Sequence, residues 1–506
     1  MRYFKRIILG VIVSALSCLP LYASDITVKD LFFDDSKPYH LKIIERREMH
    51  NIAIIGSGPA GLMAALRANE LGHDVTVFEA SPSIGGMSAS FEINGMRVDY
   101  GSHRLHPSTP PHLLDKIKIL LGDDLQSRER NGRIRLYDRW VSFPLRTTNM
   151  VRHLPLSFSF NSGLDILQRP FTKRPDLTFD DEVTNRLGRT VASEFYGPYA
   201  EKLWGVPANQ LDGEQARRRV SASSPLAIIK RLIRSSTPTG RTFLYPQRGY
   251  GQIVEAIANA VVDSGGEIHT NSPVTHIHVQ SESIQIVAGG NSLTARHVWS
   301  TAPLTKLTDI VDPKPPKEVL DAASSLRVRG MVLAYLVLDQ DQYTEYDAHY
   351  LPSQETNIAR LSEPKNYRDG IDPEGVTVLC AEIPCWCDDD VWNSSDQEIG
   401  DLVMADLVKL GLPSARYVET QTRRLPSVYP VFESATMEER RRLLEWGQTL
   451  GNLIPFGRQG FLVPDNLHHT LGMGWDLAES IGEETELNFD HWRDSVERFK
   501  QNIVED

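Results

Sequence analysis

Residues 51–106 read NIAIIGSGPAGLMAALRANELGHDVTVFEASPSIGGMSASFEINGMRVDYGSHRLH, and the order of signals in this stretch decides the fold. Residues 52–55 are an apolar run of the kind that forms a buried parallel strand. Gly56, Gly58 and Gly61 follow at the G-x-G-x-x-G spacing, with Pro59 and Ala60 between them, and residues 62–71 have helical periodicity. A second strand is expected over residues 75–78, ending at the acidic Glu79. Each part has a physical task. Gly56 lets the chain turn off the strand, Gly58 lets a pyrophosphate approach the backbone, and Gly61 lets helix and strand pack closely. The helix N-terminus offers unpaired N–H groups to an anion, and an acid at the end of the second strand accepts hydrogen bonds from a ribose. A lone glycine motif would carry little. Strand, helix, second strand and acid together read as a dinucleotide site in an α/β fold.

Gly85 and Gly86 follow Glu79 at a fixed distance. This E-x5-G-G continuation resembles the FAD fingerprint of the superfamily of amine oxidases, protoporphyrinogen oxidases and UDP-galactopyranose mutases. The resemblance implies FAD as cofactor, with bound NAD as the alternative. The family often has arginine after the glycine pair; this chain has Met87, which removes one expected phosphate contact.

The chain of 506 residues is long enough for two domains, and 41% hydrophobic and 24% charged residues describe a globular protein. A net charge of −12 argues against nucleic acid as a general partner while leaving room for a local basic pocket. Of the cysteines, Cys18 lies in the leader, and Cys380, Cys385 and Cys387 cluster in VLCAEIPCWC without the pattern of a metal site. They read as reduced thiols at a strand end, and no metal is expected. Residues 1–24 have the form of a secretory signal or short anchor: Arg2, Lys5 and Arg6 precede an apolar run over 7–22, short for a full span, which could tether the chain to a membrane. A polar leader, 25–48, follows. The alternative is a start at Met49, just before the first strand. Arg46-Arg47 lie on the wrong side of the apolar run to act as a twin-arginine signal, so a cytoplasmic chain is the reading preferred over an exported or anchored one.

The expected architecture is α/β: a discontinuous Rossmann-type FAD-binding domain from residues 49–110, 241–303 and 447–506, with an inserted α+β substrate domain from 111–240 and 304–446. In the middle segment, Gly249 and Gly251 open a helix that Gly265-Gly266 end, and strand patterns follow over 267–270, 274–279 and 298–301. The flavin ring would face the interface of the two domains. Oligomeric state is not legible.

Further motifs resemble UDP-galactopyranose mutase and its relatives, in the family's order over nearly all of the chain after Met49. They are DYGSHRLH from Asp99, Phe143-Pro144-Leu145, FYGPYAEKLWGVP from Phe195, Tyr245-Pro246, ARLSEP from Ala359, Tyr429-Pro430 and Gly457-Arg458-Gln459-Gly460. The resemblance implies that Gly101 and Ser102 pass beside the isoalloxazine with His103, which would donate to the flavin and is the best candidate base. His106 is a weaker candidate. Val274 and Gly457 complete the cofactor contacts, and Arg458 would stabilise negative charge on reduced flavin. A helix near residues 472–475 would direct its N-terminus at the flavin. Tyr199, Trp204 and Arg360 would bind substrate, the aromatics by stacking on a base and the arginine on phosphate. Lys202 reads as a salt-bridge partner on the helix surface. Two departures stand out: Pro464 occupies the position of a tyrosine that contacts the mutase substrate, and Asn466 that of an acid.

Three functions follow. One is an FAD-dependent oxidoreductase moving a hydride from a small, phosphorylated or glycosyl substrate to flavin N5. The second is a non-redox UDP-sugar mutase using reduced FAD as nucleophile, which Pro464 disfavours. The third is a flavin-free binding protein like the Rab GDP-dissociation inhibitors, which the intact glycines disfavour. The oxidoreductase is the reading taken.

Overall fold

The opening strand, Asn51–Ile55, has no solvent face. Ile52 and Ile54 belong to one hydrophobic cluster, with the helices Pro59–Glu70, Gln252–Asp263 and Leu467–Ile481. Ala53 and Ile55 belong to another, with a four-stranded sheet and the helix Leu304–Ile310. Burial on both faces is why the strand reads as a continuous apolar run. It sits at the centre of a five-stranded parallel sheet, in the order Leu453–Pro455, His297–Ser300, Asn51–Ile55, Asp74–Phe78, Glu267–His269. The computed structural model describes residues 51–143, 153–168, 175, 177–220, 242–370, 372–482 and 486–504. The leader over 1–48, its apolar run and Pro144-Leu145 lie outside them. Among the described residues, no helix is long and apolar enough to cross a membrane, and no group of three His, Cys, Asp or Glu could hold a metal ion.

The expected α/β class and Rossmann-type unit are present. The strand expected over 274–279 is present and joins a second sheet, in the order Asn291–Ala295, Ile284–Ala288, Val274–Val279, Val311–Asp312. A seven-stranded mixed sheet runs Tyr417–Pro430, Val328–Leu338, Thr377–Cys385, Arg360–Ser362, Ala348–Tyr350, Gly132–Leu136, Arg139–Phe143. Both large sheets lie within one compact unit, His50–Asp506. Cys380 and Cys385 are buried in this mixed sheet, Cys387 is exposed, and all three are free thiols. Burial pushes the Cys385 thiol up to about 11, which keeps it protonated.

The helix Gly197–Trp204 follows a π-helical turn, Ala192–Tyr196. Lys202 on this helix is buried, not a surface ion-pair partner. Its Nζ donates to Leu351 O at 2.7 Å and Ile358 O at 3.1 Å, and burial lowers its pKa to about 7. Lys202→Met should strand both carbonyls and cost about 1–3 kcal/mol. Between the native value near 7 and the ordinary 10.5, the unfolded chain holds a proton that the native state lacks. Stability of the wild type therefore gains on the variant as pH rises through that window. Denaturant titrations at the two ends of the window measure both effects.

Candidate active site

A cavity of 680 Å³ runs from Glu79 and Val274 at one end to Tyr350, Arg360 and Tyr429 at the other. Its near wall is the glycine turn. Gly56 has φ +98°, and its N–H donates to Phe78 O at 2.8 Å, which fixes the turn off the first strand. Pro59 and Ala60 open the following helix with Gly58 as its N-cap, and all three line the cavity. Leu62 N is bonded to Gly58 O, so the first-turn N–H groups of Ala60 and Gly61 remain for an anion. A Cβ on Gly58 would have no neighbour within 4 Å, whereas one on Gly61 would lie 2.0 Å from Gly56 O. Gly58 therefore faces space kept for a ligand, and Gly61 marks helix–strand contact. Gly85 donates to Ser57 O at 2.9 Å and brings Gly86 across from Gly58, where a Cβ on Gly86 would stand 3.7 Å from Gly58 Cα. Gly457 packs against Ala60.

At the near end, the Glu79 carboxylate accepts from Ser57 N at 2.9 Å, Ser57 Oγ at 2.8 Å and Ser81 N at 2.9 Å. An ionised carboxylate has capacity for a further donor, so a ribose hydroxyl fits there. The opening cradle, backbone N–H groups and acid match the requirements of a dinucleotide.

The far end is built by long-range pairing. Strand Thr377–Cys385 is buried along its whole length, yet it carries Glu382. Glu382 takes a bidentate pair from Arg360, Nε to Oε1 and Nη2 to Oε2, each at 2.9 Å. It also accepts the N–H of Ser102 at 2.7 Å. Gly101, at φ +97°, permits this approach: a Cβ there would meet Glu382 Oε1 at 3.3 Å. Arg104 ties the same loop to Asp347 at 2.9 Å, with both side chains nearly buried. The segment 101–104 is thus clamped to the mixed sheet at two points. Desolvation lowers the pKa of Arg360, but Glu382, then Tyr350, Tyr429 and Tyr199, outweigh it and hold it above the ordinary value.

His103 stacks on Tyr250 with ring centroids 5.2 Å apart, and its Nδ1 has no partner. Burial, then the charges of Arg360 and Arg458, pull its pKa down to about 3. A neutral imidazole can donate one hydrogen bond, but this setting does not suit a base that must hold a proton at neutral pH. The unfolded chain binds the proton between 6.5 and about 3. Stability should therefore fall as pH drops through that window, and His103→Gln should lose less than the wild type over it. Acid unfolding of the two proteins tests this. His106 caps a turn, accepting from Ser108 N at 3.1 Å, and still borders the cavity.

Arg458 donates from Nη2 to Val428 O at 2.7 Å, and its Nε has no partner. Burial lowers its pKa from the ordinary guanidinium value. Asp465, absent from the sequence-based candidates, lines the same end. One of its oxygens accepts from Asn502 Nδ2 at 2.8 Å, and the other accepts no hydrogen bond. Burial pushes its pKa up. Two polar atoms without a hydrogen-bond partner, on His103 and Arg458, thus belong to residues lining one cavity, and Asp465 Oδ1, which accepts no hydrogen bond, faces Arg218 Nη1 at 3.8 Å.

One expectation is corrected by placement. Trp204 is 2% exposed, packs against Phe179 and does not line the cavity. Tyr199 and Trp204 are five residues apart on the helix, about 140° around its axis, so one helix cannot present both to one ligand. Tyr199 lies near enough to Arg360 to affect its charge. The helix expected near residues 472–475 is present and spans Leu467–Ile481, with an Asn466–His469 capping box fixing its start. Its first turn, at Leu467 and Thr470, meets the cavity, and Pro464 and Asn466 line it too.

The family model of flavin containing amine oxidoreductases matches residues 59–431. Coproporphyrinogen III oxidase of Staphylococcus aureus (strain NCTC 8325 / PS 47) is 22% identical over 428 residues, covering 78% of this chain and 91% of that protein. A 75-residue stretch is 43% identical to 1-hydroxycarotenoid 3,4-desaturase of Flavobacterium sp. (strain P99-3), and the match spans 15% of the length of each protein. The crystal structure of a reduced UDP-galactopyranose mutase superposes with a TM-score of 0.73 at 21% identity, covering 90% of this chain and all of that one, a likeness of fold. The glycine cradle, the acid at the end of the second strand and the matched family model agree: the cofactor is FAD, and the chain belongs to the flavin containing amine oxidoreductase family.

Proposed function

We propose that this protein is an FAD-dependent oxidoreductase that takes a hydride from a small anionic substrate, phosphorylated or glycosyl. The observation that carries the reading is the charge of the far end. Arg104, Arg130, Arg219, Arg360 and Arg458 line the cavity, against Glu79 and Asp465 among its described lining residues, with Glu382 and Asp347 pairing Arg360 and Arg104 from outside the lining. Positive charge in a poorly solvated site selects an anion. When bound, FAD supplies the two-electron sink. The chain's own part is to hold and deprotonate the substrate. Arg360, fixed in orientation by Glu382, presents its remaining edge to a phosphate or carboxylate. Asp465, with an oxygen that accepts no hydrogen bond and a pKa raised by burial, takes the proton from the substrate's O–H or N–H as the adjoining C–H gives up its hydride. His103 stays neutral and donates.

A second reading is a non-redox mutase acting on a UDP-sugar. The nearness of Tyr199 to Arg360 favours it, and Pro464, which has no hydroxyl to offer a diphosphate, disfavours it. Anaerobic mixing of the flavoprotein with sugar phosphates, UDP-sugars and amines separates the readings. Bleaching of the flavin band by an anionic compound supports the oxidoreductase. Isomerisation of a UDP-sugar only after dithionite reduction, with no net electron consumption, supports the mutase. Bleaching by uncharged amines alone contradicts the anionic substrate.

A further inference from the structure

Behind the loop that carries Arg458 and Asp465 lies a second cavity, of 1110 Å³. One part of its lining is apolar. Phe461, Trp492 and Phe499 form a triangle with ring centroids 6.1 to 6.3 Å apart, flanked by Leu304, Leu453 and Val463. The other part is cationic. Arg218 and Arg440 line the cavity, are 4% and 8% exposed, and share one carboxylate: Arg218 Nε reaches Glu214 Oε1 at 2.9 Å and Arg440 Nη1 reaches Oε2 at 3.2 Å. Arg218 Nη1 and Arg440 Nε make no hydrogen bond. Burial lowers the pKa of Arg440; Glu214 opposes this and Arg218 adds to it. Arg218 Nη1 also faces Asp465 Oδ1 at 3.8 Å, so the two desolvated guanidinium groups meet two carboxylates, yet each keeps an N–H donor without an acceptor beside the apolar lining. Arg218 and Asp465, 3.8 Å apart, stand between this cavity and the flavin cavity.

The geometry points to a second ligand site here, taking an amphipathic monocarboxylate whose head lies by Arg218 and Arg440 and whose apolar body lies along Phe461, Trp492 and Phe499. The site is separate from the cofactor's, so it fills with FAD in place, and it stands whichever reaction the flavin performs. A phosphate head would meet the same cations; the apolar floor is what selects an amphiphile over a free ion.

Isothermal titration of the FAD-loaded full chain with octanoate, 1-octanol, acetate and inorganic phosphate tests this. Octanoate should bind at one site per chain, with acetate, phosphate and 1-octanol each at least about tenfold weaker. Arg440→Met keeps the stem and removes the charge; it should weaken octanoate at least about tenfold and leave 1-octanol and FAD retention unchanged. Equal binding of octanoate and 1-octanol, equal binding of octanoate and phosphate, absence of saturable octanoate binding, or an unaltered affinity in Arg440→Met would each overturn the site. If Arg440→Met does not fold, the wild-type comparison of octanoate with 1-octanol decides alone.

Discussion

A Gly58→Ala protein should fold and, stripped of flavin, melt with the wild type, yet bind FAD at least about 100-fold more weakly, a loss of about 2.8 kcal/mol. The two halves of this expectation have separate causes. Gly58 sits at the helix N-cap with φ −70° and ψ 176°, which alanine adopts without strain, and its added methyl group would meet nothing within 4 Å. The folded chain therefore gains no clash. The same methyl group would occupy open space at the helix N-terminus, where the backbone must lie close to the pyrophosphate. Gly61→Ala is the contrasting control. Its methyl group would be 2.0 Å from Gly56 O, inside the helix–strand contact, so this variant should be destabilised with or without flavin, by about 1–3 kcal/mol or more. Apo melting temperatures and FAD titrations of both variants separate a cofactor glycine from a packing glycine. Equal FAD affinity for Gly58→Ala and wild type would remove the pyrophosphate from this turn.

Glu382→Ala should destabilise the protein by about 3–5 kcal/mol, the largest single loss expected outside the hydrophobic core. The acid is 3% exposed and satisfies three donors, two from Arg360 and one from Ser102. Removing it leaves a buried guanidinium without its counter-charge and a buried N–H without an acceptor. Glu382→Gln keeps an acceptor for Ser102 while losing the charge, and should fall between alanine and wild type. Because Glu382 also clamps Gly101 and Ser102 against the mixed sheet, the alanine variant should release His103 from its place over Tyr250. Denaturant titrations of the three proteins measure the order. A loss below about 1 kcal/mol in the alanine variant would mean that the pair is solvated and does not shape the site.

The nucleotide end was legible in the sequence because its parts are local. Strand, glycine turn, helix, second strand and Glu79 lie within one short run, and each has a composition set by backbone geometry. Family resemblance extended that reading to Arg360 and Arg458, which line the cavity together. The far end depends on pairs that no local pattern encodes. Ser102 and Glu382 are 280 residues apart, and Arg104 pairs with Asp347 across a similar span. One signal was present: an acid inside the apolar run of VLCAEIPC needs a buried cation, and Arg360 was already a candidate. Asp465 carried no such signal, lying in an ordinary loop beside the Pro464 and Asn466 that drew notice. Trp204 and Lys202 were misplaced for one reason. A family motif names residue types, but the rotation of a helix decides which of them face a ligand, the core or a backbone carbonyl.

The central claim is that the cavity from Glu79 to Arg458 holds FAD and leaves the Arg360 end for substrate. The most direct measurement is the flavin content of the purified full chain, released by denaturation and counted against protein, before and after incubation with excess FAD. The account predicts about one FAD per chain, lost on Gly58→Ala substitution and retained on Arg360→Met. A folded wild-type chain that stays colourless with excess FAD would contradict it.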